Sequence, residues 1–452
     1  MFSKLYRCHA FTKSTYKPFN LKGERKMLTA ISGINWGDEG KGRMVDLLSE
    51  NADYVVRYQG GNNAGHTVIN EYGEFKLNLL PSGICRKNVV NIMGNGMVID
   101  LAHLVGEMER VTSRGISITP ENLKISDKAT IVLPYHVKLD ILEEERLTKA
   151  TGKPYGSTRR GIAPVYGDKY YKKTIRMSDL FFEDDLREKV KNIIDWKNLL
   201  IEGGYKSEPI CFEEIMAWLH EYGDKLKPFV TDVGKILHDA NKAGKNIIFE
   251  AQLGALRDID FGIYPYTSSS STIAAFAPIG AGIPGMKLDK SIGIMKAYST
   301  CVGAGPFTAR LYGDEAELLR KAGNEYGAAT GRPRDVGAFD VVASKYGVML
   351  QGTDEVALTK LDVLSYMEKI PVCVAYDIDG EITTDFPSGK RLDIAKPVIE
   401  YLDGWMCDVS GCRTYDELPQ KAKEYIEYIS KAVGCYIKYI SVGASREAYI
   451  EV

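Results

Sequence analysis

A chain of 452 residues with 58 Lys and Arg against 60 Asp and Glu has a formal net charge of −2, so it lacks the basic footprint of a nucleic-acid-binding protein. No apolar run approaches the roughly 20 residues that cross a bilayer. The length can bury a large core, as two domains or one elaborated α/β domain. Its eight scattered cysteines form no CxxC and no zinc set, which fits reduced thiols in a cytoplasmic protein.

Residues 1–26 are basic and acid-poor, with Lys4, Arg7, Lys13, Lys17, Lys22, Arg25 and Lys26 against Glu24. Three readings stand for them: a transit peptide, a disordered basic arm, or a segment that is not made because translation starts at Met27. The expected organisation is this extension followed by one domain over 27–452.

Met27–Ser32 reads as a buried strand, followed by the glycine-rich loop Gly33–Arg43 and an amphipathic helix from Met44. Strand, glycine loop, Lys and helix is the layout that cradles polyphosphate, with Lys41 reaching the outer phosphates. It departs from GxxxxGK[ST] at Asn35 and Gly42. It also carries Asp38 and Glu39, whose charge needs a divalent metal or a proton-transfer role to offset it.

Further along, Tyr54–Tyr58 reads as a strand, Gly60–Thr67 as a loop, and a hairpin turns at Asn70–Gly73 into Phe75–Leu79. Asn88–Met93 is a strand. Asp100 caps a helix over Leu101–Val111, and another helix starts near Tyr135 with Glu143–Arg146 as its solvated face. Thr151–Asp179 is rich in Gly, hydroxyls and cations and reads as largely irregular, suited to a nucleotide monophosphate. Residues 180–245 read as an inserted set of amphipathic helices. Asn246–Glu250 is a core strand leading to the hydroxyl-rich loop Tyr264–Thr272.

Asn324–Arg334 is a flexible loop whose Arg332 and Arg334 present two forks suited to a dicarboxylate. Glu355–Leu358 is a strand ending in Thr359–Asp362. There the Asp362 carboxylate can accept from guanine N1–H and N2–H while the Lys360 stem covers the ring. Leu418–Pro419 opens a helix reaching Ala432, with Pro at or near its first position. Tyr436–Ile440 is the last strand, and Ser441–Gly443 closes over the base. Strands alternating with helices give an α/β fold of phosphate-loop-NTPase type, a mostly parallel central sheet with helical insertions.

Trp36–Gly42 and Gln59–Thr67, at their spacing, resemble adenylosuccinate synthetase, and the likeness extends from Met27 through the remaining sequence. The resemblance implies GTP-dependent joining of aspartate to IMP through a 6-phosphoryl intermediate, with Mg²⁺ held by Asp38 and Gly65. In that reading Asp38 takes the N1 proton of IMP, Lys41 steadies the phosphoryl group, His66 donates toward the β–γ bridge, and Lys169 stands nearby. GTP falls to Gly37, Glu39, Gly40, Gly42, Arg43, Thr67 and Arg334 on the phosphate side. Lys360, Leu361, Asp362, Ser441, Val442 and Gly443 take the base. IMP falls to Asn63, Ala64, Thr158, Gln252, Leu253, Ser268 and Arg332. Aspartate falls to Ala328, Ala329, Thr330, Gly331, Arg332 and Arg334. A homodimer brings Lys172 near the partner's site.

Four departures gather on the IMP and aspartate side. The family's Phe-Glu-Gly-Ala-Gln-Gly is here Phe249-Glu250-Ala251-Gln252-Leu253-Gly254, which displaces the Gln by one. Its Thr-Thr-Gly-Arg-Gly-Ile-Gly-Pro is here Ser157-Thr158-Arg159-Arg160-Gly161-Ile162-Ala163-Pro164, Lys172 stands for an Arg, and Asp335 ends the usual Arg-Pro-Arg-Arg. Two alternatives stay open: a paralogous GTP-dependent aspartate ligase for another purine, and a non-catalytic GTP-binding regulator.

Overall fold

Leu28–Gly33 forms strand β1, and all six of its residues are buried. A strand covered on both faces has no reason to alternate, which accounts for its continuous apolar run. The structure, a computed structural model, describes residues 27–70, 73–152, 156–326 and 333–452. The readings of residues 1–26 and of Ala328, Ala329, Thr330, Gly331 and Arg332 lie outside the described residues.

The chain continues through β2 (Tyr54–Arg57), β3 (Val90–Met93), β4 (Leu123–Ser126), β5 (Val230–Thr231), β6 (Ile247–Gly254) and β7 (Lys290–Lys296) to β8 (Glu355–Thr359), β9 (Ile437–Ser441) and β10 (Tyr449–Glu451). These make one ten-stranded sheet in the order β10-β9-β8-β7-β1-β6-β2-β3-β4-β5. Neighbours run parallel except β9 and β10. β1 lies between β6 and β7, and all three release their loops at the same carboxyl edge. That edge is where an open α/β sheet places its ligands.

The helices of eight or more residues among those described are α1 (Lys41–Leu48), α2 (Leu101–Thr112), α3 (Pro134–Thr151), α4 (Ile162–Tyr171), α5 (Glu183–Gly203), α6 (Phe212–Leu226), α7 (Val233–Lys242), α8 (Gly313–Ala322), α9 (Val341–Gln351) and α10 (Gln420–Val433). Asp100 caps α2 as read from sequence, its Oδ1 accepting from His103 N at 3.0 Å. The inserted helices α5 and α6 bury Leu186, Ile193 and Leu219 in one cluster with Leu101 and Leu104 of α2. A second cluster joins Leu358, Ile440, Tyr425 and Ile429.

Several expectations need correction. α4 lies inside the stretch read as irregular: Gly161 enters it in the left-handed region at φ 72°, and Pro164 falls in the first turn, where no intrahelical N–H is lost. Glu144 is not on a solvated face; it is 4% exposed and accepts from Gly156 N at 2.7 Å. The hairpin strand opens at His66, not after Thr67, and runs to Asn70 against Gly73–Leu77. Pro419 precedes α10. Sequence reading also missed β10 and a four-stranded sheet built from Phe339–Asp340, Lys369–Ile378, Glu381–Thr383 and Lys396–Asp403.

α9 is the floor under the glycine-rich loop. Gln351 Nε2 donates to Gly33 O at 3.0 Å and Thr272 O at 3.2 Å, and Asn35 Nδ2 donates to Ser344 Oγ at 3.0 Å. Gly347 meets the loop so closely that a Cβ there would lie 2.0 Å from Ile34 O. At the start of α9, buried Asp340 accepts from Ala343 N at 2.9 Å and Tyr376 Oη at 2.6 Å.

Two outcomes follow from this floor. Gly347→Ala should destabilise the protein by about 1–3 kcal/mol, as overpacking does, because the neighbour is backbone and cannot rotate away; a urea midpoint equal to the parent's would contradict the contact. Burial raises the Asp340 carboxyl to about 6. A raised acid contributes stability that is whole below its unfolded value near 3.8 and is lost as pH climbs through 6. The stability gap between parent and Asp340→Asn should therefore shift toward the variant by about 2 kcal/mol between pH 4 and 7, measured by urea unfolding at each pH. A gap constant with pH would show that Asp340 does not titrate there.

Candidate active site

The loop after β1 turns three times through the left-handed region, at Gly37 (φ 102°), Asp38 (φ 58°) and Gly40 (φ 96°). Two glycines make this free of strain, while Asp38 holds the conformation as a non-glycine residue. Glu39, expected on GTP, turns inward and is 2% exposed. Its Oε1 accepts from Gly37 N at 2.8 Å and Asn35 N at 3.1 Å, and its Oε2 pairs with Lys41 Nζ at 2.6 Å. A Cβ on Gly33 or on Gly254 would lie 2.6 Å from this carboxylate, so both strand ends must be glycine. Gly42 stands where Ser or Thr was expected because a Cβ there would come within 2.7 Å of His66 Cβ.

Beside the loop opens a cavity of about 710 Å³, lined by Gly37, Asp38, Asn63, Ala64, Gly65, His66, Thr158, Leu253, Ser268 and Arg334 among others. The structure thus gathers much of the set assigned from sequence to IMP and to phosphoryl transfer. Leu253, at φ 64°, is on the wall. Gln252 is behind it: buried, it accepts from Arg57 Nη2 at 2.6 Å and donates to Asn63 Oδ1 at 3.0 Å. Against its expected place on the nucleotide, Gln252 is not in the cavity lining and stands one step behind Asn63. Ser268 and Ser270 share a hydroxyl contact at 3.2 Å.

His66 Nε2 lies 3.3 Å from Oε1 of buried Glu250, which also accepts from Ser82 N at 2.8 Å and Ser82 Oγ at 2.7 Å. Burial pushes the His66 imidazole down to about 4, with Glu250 opposing and Arg57 and Lys41 assisting. At neutral pH it offers a hydrogen bond rather than a proton. Asp38 Oδ2 is 3.2 Å from Arg334 Nε, and Arg334 Nη1 donates to Glu325 Oε2 at 2.6 Å. Burial alone would raise the Glu325 carboxyl, but Lys296, Lys360 and Arg334 outweigh it and hold it at about 2.

The residues assigned to guanine are not in the cavity lining. They form a shelf of their own. Lys360, at φ 64°, donates to Gly323 O at 2.7 Å. Burial raises the Asp362 carboxyl against the pull of Lys360 and Arg43. Arg43 donates to Ser441 Oγ and Gly443 O, and to Ser445 O at 2.6 Å, while Asp46 receives a two-pronged bond from Arg446 at 2.8 and 3.0 Å. α1 therefore clamps the loop after β9. The Arg43 side chain is spent on that clamp, and Leu361 and Val442 are fully buried; none of the three presents a side chain to a ligand.

Lys169 also departs from expectation. It is not on the cavity wall; its Nζ reaches Asn95 O at 3.4 Å, and burial lowers its ammonium. Lys172 is exposed at the end of α4 in the left-handed region. Reading the sequence missed Arg257, which lines the cavity and donates to Val302 O at 2.6 Å, Ala304 O at 3.2 Å and Tyr266 O. It also missed Arg57, Glu250 as the partner of His66, and Glu325; a charged residue within an otherwise apolar strand was the available signal for the first two.

Comparison with known proteins agrees with this geometry. The profile of the family described as adenylosuccinate synthetase matches residues 30–450. An adenylosuccinate synthetase of Thermoanaerobacter sp. is 46% identical over 421 residues, 93% of this chain and 98% of its own. One from Caldanaerobacter subterraneus is 43% identical over 425 residues, 94% and 98% of the two chains. The structure of the fully ligated adenylosuccinate synthetase from Plasmodium falciparum superposes with a TM-score of 0.88 at 36% identity, covering 94% of this chain and 99% of that one. The chain belongs to the adenylosuccinate synthetase family.

Proposed function

We propose that this chain is a ligase of purine biosynthesis that forms a C–N bond, joining L-aspartate to IMP with GTP and yielding adenylosuccinate, GDP and phosphate. The observation that carries the reading is that Asp38, Gly65, His66 and Arg334 face one cavity beside a phosphate loop and a guanine shelf. Asp38 takes the N1 proton of IMP, so that O6 becomes the nucleophile toward the γ-phosphorus. The O6–P bond forms as the β–γ bridge breaks, and the electron pair leaves on GDP. His66 hydrogen-bonds the leaving oxygen and Lys41 steadies the transferring group. The aspartate amine then attacks C6, and phosphate departs with O6. Arg334 grips an aspartate carboxylate, with Arg332 as the second fork.

Mg²⁺ fits the residues present. Asp38 is half-buried on the cavity wall and Gly65 is exposed there, and one carboxylate with one carbonyl is a partial oxygen set that phosphate oxygens complete. When bound, the ion neutralises charge on the phosphoryl group.

The homodimer is supported by Tyr170 and Tyr171, 82% and 71% exposed beside Lys172, an apolar rim that a second copy would cover. Among the described residues the cysteines form no disulfide, which suits a cytoplasmic setting. Leu253 on the wall in place of an amide favours a second reading, the same ligation on another purine monophosphate. Phosphate release with GTP, aspartate and a panel of purine monophosphates separates the two, with IMP expected to be used best.

Asp38→Asn should lower turnover by about 10²–10⁴, the usual worth of a general base, with the unfolding midpoint preserved; near-normal turnover would sink the mechanism. Asp362→Asn should weaken GTP use, since each charge-assisted bond lost is worth about 1.5–3 kcal/mol, and should improve use of xanthosine triphosphate. If the variant handled both nucleotides as the parent does, guanine is not read at Asp362.

A further inference from the structure

Glu325 is wholly buried and sits between the cavity and the guanine shelf. One oxygen accepts from Lys296 Nζ at 2.8 Å and Tyr298 Oη at 2.6 Å, and the same oxygen lies 3.9 Å from Lys360 Nζ. The other accepts from Arg334 Nη1 at 2.6 Å. Its backbone grips the same arginine, with Arg334 N donating to Glu325 O at 3.0 Å. Arg334 in turn faces Asp38 across 3.2 Å.

We propose that Glu325 is the positioning residue that couples the guanine shelf to Asp38, holding Arg334 toward the cavity and Lys360 toward the base. The inference rests on the ligase reading above for its substrates. The physical case is one of competing anions. Arg334 has two carboxylates within 4 Å, Glu325 and Asp38. While Glu325 takes Nη1, only Nε is turned to Asp38, which leaves the rest of that carboxylate uncovered toward the cavity. With Glu325 neutralised, the guanidinium keeps only Asp38 as a charged partner and is free to swing onto it, out of the position in which it faces the cavity. Lys360 at the same time loses its buried counter-charge, and its stem is free to leave the position from which it covers the ring. A single carboxylate therefore sets both ends, and a guanine seated against Lys360 is felt at Asp38 through the side chains of Lys360, Glu325 and Arg334.

The test uses the full chain with Glu325→Gln and Glu325→Asp, measuring GDP affinity by calorimetry, steady-state phosphate release, and unfolding temperature. Glu325→Gln should weaken GDP binding about fivefold or more and lower kcat about tenfold or more, the scale of a modest coupling or misplacement. KM for IMP should stay within about twofold, well inside that coupling scale. Glu325→Asp keeps the charge one methylene short and should fall between Gln and the parent. Unchanged GDP affinity and kcat overturn the proposal, as does a uniform loss of GDP, IMP and aspartate binding that tracks the unfolding temperature. If Glu325→Gln does not fold, Glu325→Asp decides: parent-like GDP affinity and kcat overturn the coupling, and a selective loss supports it. A parent that binds GDP but releases no phosphate with IMP and aspartate refutes the ligase reading, while the GDP measurement still judges Glu325. A parent that does not bind GDP refutes both.

Discussion

The carboxylate of Glu39 organises the edge of the sheet. Lodged under the glycine-rich loop, it accepts from two backbone amides and pairs with Lys41, the arrangement such a loop otherwise offers to a bound phosphate. With the backbone carbonyls of Leu253 and Asn35 it leaves no room for a side chain at Gly33 or Gly254, where β1 and β6 end side by side. Everything downstream of those two strand ends inherits the geometry. The loop is already closed on an internal anion, which leaves its next acid, Asp38, projecting at the cavity rim.

The sheet sorts the residues around the site by strand. The loop after β2 and the end of β6 supply the cavity side, through Asn63 and Leu253 with Gln252 behind them, whereas the ends of β8 and β9 supply the shelf proposed for guanine. The loop after β1 belongs to both. Buried charges tie these parts together: Arg57 reaches Gln252 and Asn78, Glu250 faces His66, and Glu325 holds Arg334. Such pairs are costly to bury and costlier to break, which makes them suited to fixing side chains that must not drift.

Much of this was legible in the sequence wherever one stretch carries its own signal. The continuous apolar β1, the Asp100 cap and the hairpin around Gly73 are local, and local chemistry determines them. The glycine-rich loop and Lys360 with Asp362 were equally plain. What was not legible depends on partners far away in the chain. Glu39 looked like a ligand contact because nothing near it announces that its charge is met from within the loop. Lys169 looked catalytic, yet α4 carries it to Asn95. The displaced Gln252 could be read as turned away from the wall, but not that it would find Arg57 and Asn63.

The clamp made by Arg43 and Asp46 joins residues 400 positions apart in the case of Asp46 and Arg446. Contacts of that span form late, because their loop-closure entropy must be met before they return any stabilisation. During synthesis α1 emerges hundreds of residues before the segment it must grip, so the loop after β9 cannot be fixed until the last residues of the chain are made. A chain interrupted before Ser441 would leave Arg43 and Asp46 at the end of the sheet without the segment they clamp.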